Sequence, residues 1–402
     1  MIVNLEAAVL SGSLPAIPSK SAAHRLLICA ALADRETEIA CPVLSKDIQA
    51  TADCLRAMGA DIRYEEGSFR VKPVAEAVEN ARLDCGESGS TLRFLLPVVC
   101  ALGAGARIKM HGRLPERPLS PLWEELEVHG ARLSRPEADV IAVEGGLRGG
   151  LYRIRADISS QFISGLLFAL PLLHTESKIQ LEGPVESVGY IHMTRQAQES
   201  FGLYTDFADN CFTISPEAAY RSPGLARVEG DWSNAAFWLV ADAISPERIT
   251  LTGLEEESLQ GDKAVVSAIA QILKGGAVLD MKDIPDLLPV LAVLAAVTPG
   301  RTEFVNAGRL RIKESDRLQA VCRMLNDLGG DCRETAEGLI VEGREKLRGG
   351  RVDSVNDHRI AMSAAIAPTA CTGPVILSGA EAVEKSYPAF FEDYRKLGGL
   401  VR

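Results

Sequence analysis

Six times along the chain a helix-like run ends in glycine and passes at once into an extended segment. The copies read L-R-A-M-G-A-D-I-R-Y, L-E-V-H-G-A-R-L-S, Q-E-S-F-G-L-Y-T-D, Q-I-L-K-G-G-A-V-L-D, L-N-D-L-G-G-D-C-R-E and Y-R-K-L-G-G-L-V-R. Their glycines are Gly59, Gly130, Gly202, Gly275, Gly329 and Gly398, spaced by 71, 72, 73, 54 and 69 residues. Glycine suits that point because it alone enters the left-handed conformation cheaply, which is how many helices end. A recurrence at this spacing restricts the fold to one built from a repeated supersecondary unit.

Upstream of each copy lies a second, more apolar helix opened by small or polar residues. The openings are Ser21-Ala-Ala-His-Arg, Ser88-Gly-Ser-Thr-Leu-Arg, Ser159-Ser-Gln-Phe, Ser233-Asn-Ala-Ala-Phe, Asp286-Leu-Leu-Pro and Asn356-Asp-His-Arg. Ser, Asp and Asn are good N-cap residues, so six helix starts are expected there. The first helix of each unit is apolar nearly all round, which implies burial; the second is amphipathic, which implies a surface position. Strand-like runs at Ala106–Met110, Ile179–Leu181, Arg248–Leu251 and Val375–Leu377 fall between the two helices. The unit therefore reads strand–helix–strand–helix–strand–strand, six times over. The fourth copy is short: its extended segment runs almost directly into Lys282-Asp-Ile-Pro-Asp, as if a terminal hairpin were missing.

Composition narrows the classes of function. With 402 residues, 47% hydrophobic and 24% charged, the chain has the balance of a globular protein of two domains or one large one. Its formal charge of −11 argues against broad electrostatic binding to nucleic acid or an anionic membrane. No run reaches the roughly 20 apolar residues of a membrane span, and no secretory signal is read at the N-terminus. Nine cysteines without a C-x-x-C pair read as reduced cytosolic thiols packed in cores. The six histidines lack metal-ligand spacing, so no metal site is expected. Cys85-Gly-Glu-Ser-Gly-Ser-Thr lacks the ending of a Walker loop, and no G-x-G-x-x-G opens a strand–helix unit.

The charges at the helix starts point to chemistry. Helix N-termini favour acidic residues and disfavour basic ones by about 0.3–1 kcal/mol each. The amphipathic helices comply, with Asp47, Glu124, Glu125 and Asp262 near their starts. The buried-type helices do the opposite: Lys20 and Arg25 flank Ser21, Arg93 follows Ser90, and Arg359 follows His358. Lys313-Glu314-Ser-Asp316-Arg317 is read as another such opening, with Lys313 and Arg317 at a repulsive i,i+4 spacing. One such violation is a solvated surface charge. Repeated at corresponding ends of repeated units, it is the footprint of a small, highly anionic ligand met by backbone N–H groups and guanidinium forks.

These starts carry a family resemblance. P-S-K-S-A-A-H-R (18–25), G-E-S-G-S-T-L-R (86–93), R-P-L-S-P-L (117–122), S-S-Q-F (159–162), G-D-W-S-N-A (230–235), D-I-P-D (283–286), L-R-I-K-E-S-D-R-L (310–318), N-D-H-R-I-A-M (356–362) and K-S-Y-P-A-F-F (385–391) follow in order over essentially the whole chain. The sequence resembles the 5-enolpyruvylshikimate-3-phosphate synthase family. The resemblance implies an α/β, two-domain enolpyruvyl transferase fold, an inside-out α/β barrel with three βαβαββ-like units per domain. Residues 1–13 with 228–402 would form one domain and 14–227 the other, with the active site in a cleft between them.

What the resemblance further implies is transfer of the enolpyruvyl group of phosphoenolpyruvate to the 5-hydroxyl of shikimate 3-phosphate. Phosphate leaves through a tetrahedral ketal phosphate, in the shikimate pathway to chorismate and the aromatic amino acids. It implies a cytoplasmic monomer without cofactor or metal, and with small molecules rather than nucleic acid or membrane as partners. By motif match, Lys20, Asp286, Lys313 and Glu314 would be catalytic. Shikimate 3-phosphate would be held by Lys20, Ser21, Arg25, Ser159, Ser160, Gln161, Ser187, Tyr190, Asp286 and Lys313. Phosphoenolpyruvate would be held by Lys20, Gly89, Arg117, Gln161, Arg317, Arg359 and Lys385, with Ser90, Arg93 and His358 in support.

Three departures from the family pattern are visible: Glu87 where Asn is common, Ser90 for Thr, and Arg309 for another polar residue. A carboxylate at 87 should repel phosphoenolpyruvate unless Arg or Lys neutralises it. The rival readings are a UDP-N-acetylglucosamine enolpyruvyl transferase, an RNA-end-processing relative and a catalytically dead regulatory relative. Against the first stands the absence of cysteine from His111-Gly-Arg-Leu-Pro-Glu-Arg-Pro118, against the second the acidic balance, and against the third the retained Lys20, Asp286 and Glu314.

Overall fold

The computed structural model describes residues 1–402, which divide into two compact units: Lys20–Val228, and Met1–Ser19 with Glu229–Arg402. The unit Lys20–Val228 contains α1 (Lys20–Ala31), α2 (Lys46–Ala57), α3 (Gly89–Leu102), α4 (Leu122–Val128), α5 (Ser160–Ala169) and α6 (Val188–Ser200). The other contains α7 (Trp232–Ile244), α8 (Val265–Ile272), α9 (Leu288–Ala296), α10 (Arg317–Asp327), α11 (His358–Ile366) and α12 (Phe390–Lys396).

Five four-stranded sheets and one two-stranded sheet accompany these helices, and the five share one topology. In the second repeat Ala81–Asp84 pairs parallel with Ala106–Lys109, which pairs antiparallel with Val140–Glu144, itself antiparallel to Arg132–Glu137. The two parallel strands flank the first helix and the hairpin follows the second, as the βαβαββ reading expects. Each unit closes on itself by lending a distant strand: Leu225–Arg227 pairs with Thr37–Ala40, and Ile2–Glu6 pairs with Val375–Ser378.

The fourth repeat does lack its hairpin. Ile249–Thr252 pairs only with Gly12–Pro15, and the segment after α8, Gly276–Asp280, joins the next sheet beside Gly300–Val305. The pairing of Gly12–Pro15 also carries residues 12–19 into the unit of the C-terminal half, so the chain crosses at Ser19/Lys20, later than residue 13. It returns at Val228/Glu229.

All six repeat glycines have positive φ, from 70° at Gly202 to 115° at Gly59. Burial follows the pattern read from sequence. Every residue of α9 and α11 is buried, whereas α2 buries one stripe, Ile48, Thr51, Ala52 and Leu55, with Cys54 beside it. Close helix approach is built in at Gly165 of α5, where a side chain would strike the Arg93 carbonyl of α3, and Phe94 meets Phe168 edge-on at 5.5 Å. All nine cysteines are free and all but Cys211 are buried. No helix is long and apolar enough to cross a membrane.

Four helix starts differ from expectation. The cap of α7 is Asp231, not Ser233, and that of α11 is Asp357, not Asn356; each carboxylate accepts a backbone N–H of its first turn. A carboxylate is a stronger acceptor than a hydroxyl or amide and matches the positive end of the helix dipole. Asp286 is no cap: it sits within a 3-10 turn, Pro285–Leu287, that leads into α9. Lys313 lies outside α10, whose cap is Asp316 and whose first residue is Arg317, so the i,i+4 repulsion does not arise.

Candidate active site

In the unit Lys20–Val228 the starts of α1, α3 and α5 are tied to one another. His24 Nδ1 bonds Thr51 Oγ1 at 2.7 Å, Thr51 bonds Thr91 Oγ1 at 2.7 Å, and Thr91 donates to Ser88, the cap of α3, at 2.8 Å. From α3, Arg93 Nη1 donates to Gln161 Oε1 of α5 at 3.2 Å, and Gln161 Nε2 returns a bond to Ser90 Oγ at 2.9 Å. Arg93 also holds the Pro118 carbonyl at 3.1 Å, fixing the segment that carries Arg117. A Cβ on Gly89 would lie 2.7 Å from Nη1 of both Arg93 and Arg117. The bare glycine thus admits two guanidinium groups to the first turn of α3.

A second group forms where α1 meets α6. The buried Arg25 donates to Thr194 Oγ1 at 2.9 Å, the Tyr190 carbonyl at 2.9 Å and the Ser21 carbonyl at 2.7 Å. Lys20, first residue of α1, pairs with Asp47 at 2.8 Å, and both are mostly covered. Ser187 is buried at φ 55° just before α6. Ser159 caps α5 by accepting from Gln161 N, and Ser160 is buried as the first residue of that helix. Glu87, the departure noted in sequence, lies against Gly112 on the 111–118 loop, where a Cβ would be 2.7 Å from its carboxyl carbon.

In the other unit the starts of α7, α9 and α11 meet at one carboxylate. Arg317 Nη1 donates to Asp286 Oδ1 at 2.7 Å, and Arg359 Nη2 donates to Oδ2 at 3.1 Å. Arg359 also reaches the Asp286 carbonyl at 3.2 Å and Ser233 Oγ of α7 at 2.9 Å. Lys313 Nζ is 3.9 Å from Asp286. Arg317 is encircled: Glu314 accepts from Nη2 at 2.6 Å and Asp357 from Nε at 2.8 Å. Asp357 also accepts from Ser315 Oγ and from the backbone N–H of Arg359. Lys385 donates to the Asn356 carbonyl at 2.6 Å, bringing its charge to the same turn, and His358 is buried beside Asp357. Arg309 donates to the Lys282 carbonyl at 2.8 Å, bracing the loop that presents Asp286.

The electrostatics follow from this crowding. Burial pushes the Asp286 carboxyl up, but Arg359, Lys313 and Arg317 together pull it well below the usual carboxylate range. Burial works against the Arg317 charge, yet Asp357, Glu314 and Asp286 hold it more firmly protonated than usual. Arg25, whose positive charge is disfavoured chiefly by burial, falls to about 10. His24 is pushed well below its ordinary value by burial, with the Lys20 and Arg25 charges adding to the effect.

Of the residues expected from sequence, Lys20, Ser21, Arg25, Gly89, Ser90, Arg93, Arg117, Ser159, Ser160, Gln161, Ser187 and Tyr190 belong to one unit. Asp286, Lys313, Glu314, Arg317, His358, Arg359 and Lys385 belong to the other. The sequence reading missed the acids that organise the cations: Asp47 on Lys20, and Asp357 on Arg317 and α11. The signal for Asp357 was present as a cap-forming Asp directly before His358-Arg359.

Six βαβαββ-type repeats in two units, with basic residues gathered at the starts of the buried helices, define an enolpyruvyl transferase fold. An EPSP synthase from Acinetobacter baumannii has the same fold, with a TM-score of 0.82 at 24% identity, covering 100% of this chain and 99% of that one. The pattern of the EPSP synthase (3-phosphoshikimate 1-carboxyvinyltransferase) family matches residues 6–277 and 266–394. A 3-phosphoshikimate 1-carboxyvinyltransferase of Clostridium kluyveri is 39% identical, covering 99% of this chain and 98% of its own. One of Clostridium botulinum Eklund 17B is 42% identical over 97% and 96%. The chain belongs to the EPSP synthase family.

Proposed function

We propose that this chain transfers the enolpyruvyl group of phosphoenolpyruvate to the 5-hydroxyl of shikimate 3-phosphate, releasing phosphate. The carrying observation is the paired clustering of cations at buried helix starts, three starts in each unit, in a protein of net charge −11. Two phosphates and two carboxylates enter the reaction, and backbone N–H groups with guanidinium forks are the groups that hold such anions. Arg25, Ser159, Ser160, Gln161, Ser187 and Tyr190, with Lys20, Ser21, Asp286 and Lys313, hold shikimate 3-phosphate. Gly89, Arg117, Arg317, Arg359, Lys385, Lys20 and Gln161 hold phosphoenolpyruvate.

In the addition step the 5-hydroxyl oxygen bonds to C2 of phosphoenolpyruvate, its proton passing to Asp286, while C3 takes a proton from Glu314 and becomes a methyl group. In the elimination step C3 returns its proton to Glu314, the double bond re-forms, and phosphate leaves C2, taking up the proton that Asp286 accepted. Lys20 and Lys313 stabilise the charge that develops on the tetrahedral intermediate. Asp286 starts as a poor base because three cations hold it. The donor's own anionic groups compete for Arg317 and Arg359, and a carboxylate released from them becomes more basic. We place the enzyme in the cytoplasm as a monomer.

Purified protein should release phosphate only when both substrates are supplied, measured by a coupled phosphate assay. Equal release with UDP-N-acetylglucosamine as acceptor, or none with either acceptor, overturns this reading.

A further inference from the structure

We infer that the bare edge of Ile249–Thr252 docks an extended segment of a partner protein, added as an antiparallel strand that opens with Lys or Arg. In the five four-stranded sheets the strand that follows the first helix is covered on both sides. Ala106–Lys109, for example, lies between a parallel and an antiparallel neighbour. In the fourth unit the equivalent strand, Ile249–Thr252, pairs parallel with Gly12–Pro15 and with no other strand. The carbonyls of Arg248 and Thr252 accept from the N–H groups of Gly12 and Ala16, so the main-chain groups of Ile249 and Leu251 face the other way. Asp242 Oδ1 accepts the Ile249 N–H at 2.7 Å, while the Leu251 N–H and the carbonyls of both residues point to the open edge.

This edge differs from the outer edges of the other sheets. Their outermost hairpin strands carry charge, as in Asp61–Glu65, Arg132–Glu137, Asp206–Ala208 and Cys332–Thr335. Charge on an edge strand deters further pairing, and Ile-Thr-Leu-Thr has neither a charge nor a proline. In other units the second helix also holds the hairpin. Arg56 of α2 donates to the Ile62 carbonyl at 2.7 Å, and Asn326 of α10 to the Cys332 carbonyl at 2.9 Å. The helix left without a hairpin, α8, has no charged residue, and it exposes Val266 by 55% and Leu273 by 50%, with Ala270 between them on the same face. The sheet edge thus offers main-chain bonds and the helix beside it an apolar stripe, the two things an added strand uses.

The sister sheets set the direction of the occupant, since each covers this edge with an antiparallel strand. An antiparallel segment begins beside Thr252, the end from which the chain turns into Glu255-Glu256-Glu257. All three glutamates are exposed, and their backbone is fastened: Trp232 Nε1 donates to the Glu255 carbonyl at 3.2 Å and Lys263 Nζ to that of Glu256 at 2.6 Å. Acids held at that end select a segment that opens with cations. Further along, its apolar residues alternate with polar ones, as the buried Ile249 and half-buried Leu251 alternate with the exposed Thr250 and Thr252.

The test is fluorescence anisotropy with a labelled, end-capped peptide, Lys-Arg-Lys-Val-Thr-Val-Thr-Val, and a control of the same residues in reverse order. Wild type should bind the first saturably below about 1 mM and the second at least about tenfold more weakly. Leu251→Pro removes the open donor, and the triple change Glu255→Gln, Glu256→Gln and Glu257→Gln removes the acids; each should weaken binding about tenfold. Circular dichroism of both variants should match wild type. Should Leu251→Pro fail to fold, Val266→Lys with Leu273→Lys on the exposed stripe of α8 should weaken binding to the same extent. No saturable binding, equal binding of the reversed peptide, or variants that bind like wild type overturn the inference. A wild-type dimer in sedimentation velocity that Leu251→Pro dissociates also overturns it, by assigning the edge to a second copy of this chain.

Discussion

Arg317 Nη1 donates to Asp286 Oδ1 across 2.7 Å, so the proposed base is gripped by a proposed substrate-binding arginine before any substrate arrives. Arg359 holds the other oxygen of the same carboxylate at 3.1 Å. These cations, with Lys313, outweigh burial and keep Asp286 well below the usual carboxylate range. Once phosphoenolpyruvate shares Arg317 and Arg359, the carboxylate should regain basicity and its pKa should rise. The kcat/KM profile reports free enzyme and the kcat profile the bound complex. The acid limb should therefore sit at higher pH in kcat than in kcat/KM for phosphoenolpyruvate. Coincident limbs would show that substrate leaves the ion cluster intact.

Removing the proposed base and a proposed charge-stabilising lysine should separate chemistry from folding. Asp286→Asn and Lys20→Ala should each lower kcat by about 10²–10⁴-fold, the range of a positioned acid–base group. Lys20→Ala leaves Asp47 without the partner it holds at 2.8 Å, a cost of about 1 kcal/mol for a pair that still touches solvent. Circular dichroism and the thermal midpoint should thus change little. Turnover close to wild type in either variant removes that residue from the catalytic set.

Much of this was legible in the sequence because periodicity and punctuation survive without a fold. The six glycines, the buried first helices and the missing fourth hairpin all follow from short-range patterns. The starts of the six buried helices were placed to within about two residues, as terminal assignments generally are, while that of α10 lies farther from Lys313. What the sequence could not carry is pairing between distant residues. Nothing local says that Gly12–Pro15 pairs with Ile249–Thr252. Nothing local says that Asp47 meets Lys20 or that Asp357 meets Arg317. Reading Asp286 as a cap treated it by its neighbours in sequence, whereas three cations from elsewhere in its unit define it.

Gly89 tests how the first turn of α3 admits anions. A methyl group there would stand 2.7 Å from Nη1 of both Arg93 and Arg117, inside van der Waals contact, so at least one guanidinium must move. Arg93 is bonded to Gln161 and the Pro118 carbonyl, so a shift of either guanidinium disturbs the first turn of α3 and the Arg117 segment beside it. Gly89→Ala should therefore raise the KM for phosphoenolpyruvate by about tenfold and that for shikimate 3-phosphate by less than about twofold. Steady-state kinetics with each substrate varied in turn measures this. Equal effects on both substrates would assign the glycine to helix packing alone.

His24 should make one unit acid-sensitive. Its ring bonds Thr51 and lies edge-on to Phe94, and burial first, then the Lys20 and Arg25 charges, holds it neutral well below its ordinary value. In the unfolded chain the ring titrates near its ordinary pKa of about 6.5. Below that pH the unfolded state binds a proton that the folded state refuses, so stability falls with pH. His24's contribution is whole above about 6.5 and is lost at up to about 1.4 kcal/mol per pH unit down to its folded pKa. His24→Gln, which can still bond Thr51, removes the titration. Thermal or urea unfolding of both proteins between about pH 7.5 and about pH 5.5 should show a steeper loss for wild type, the gap closing toward acid. Parallel pH profiles would mean that the folded protein accepts the proton at His24 after all.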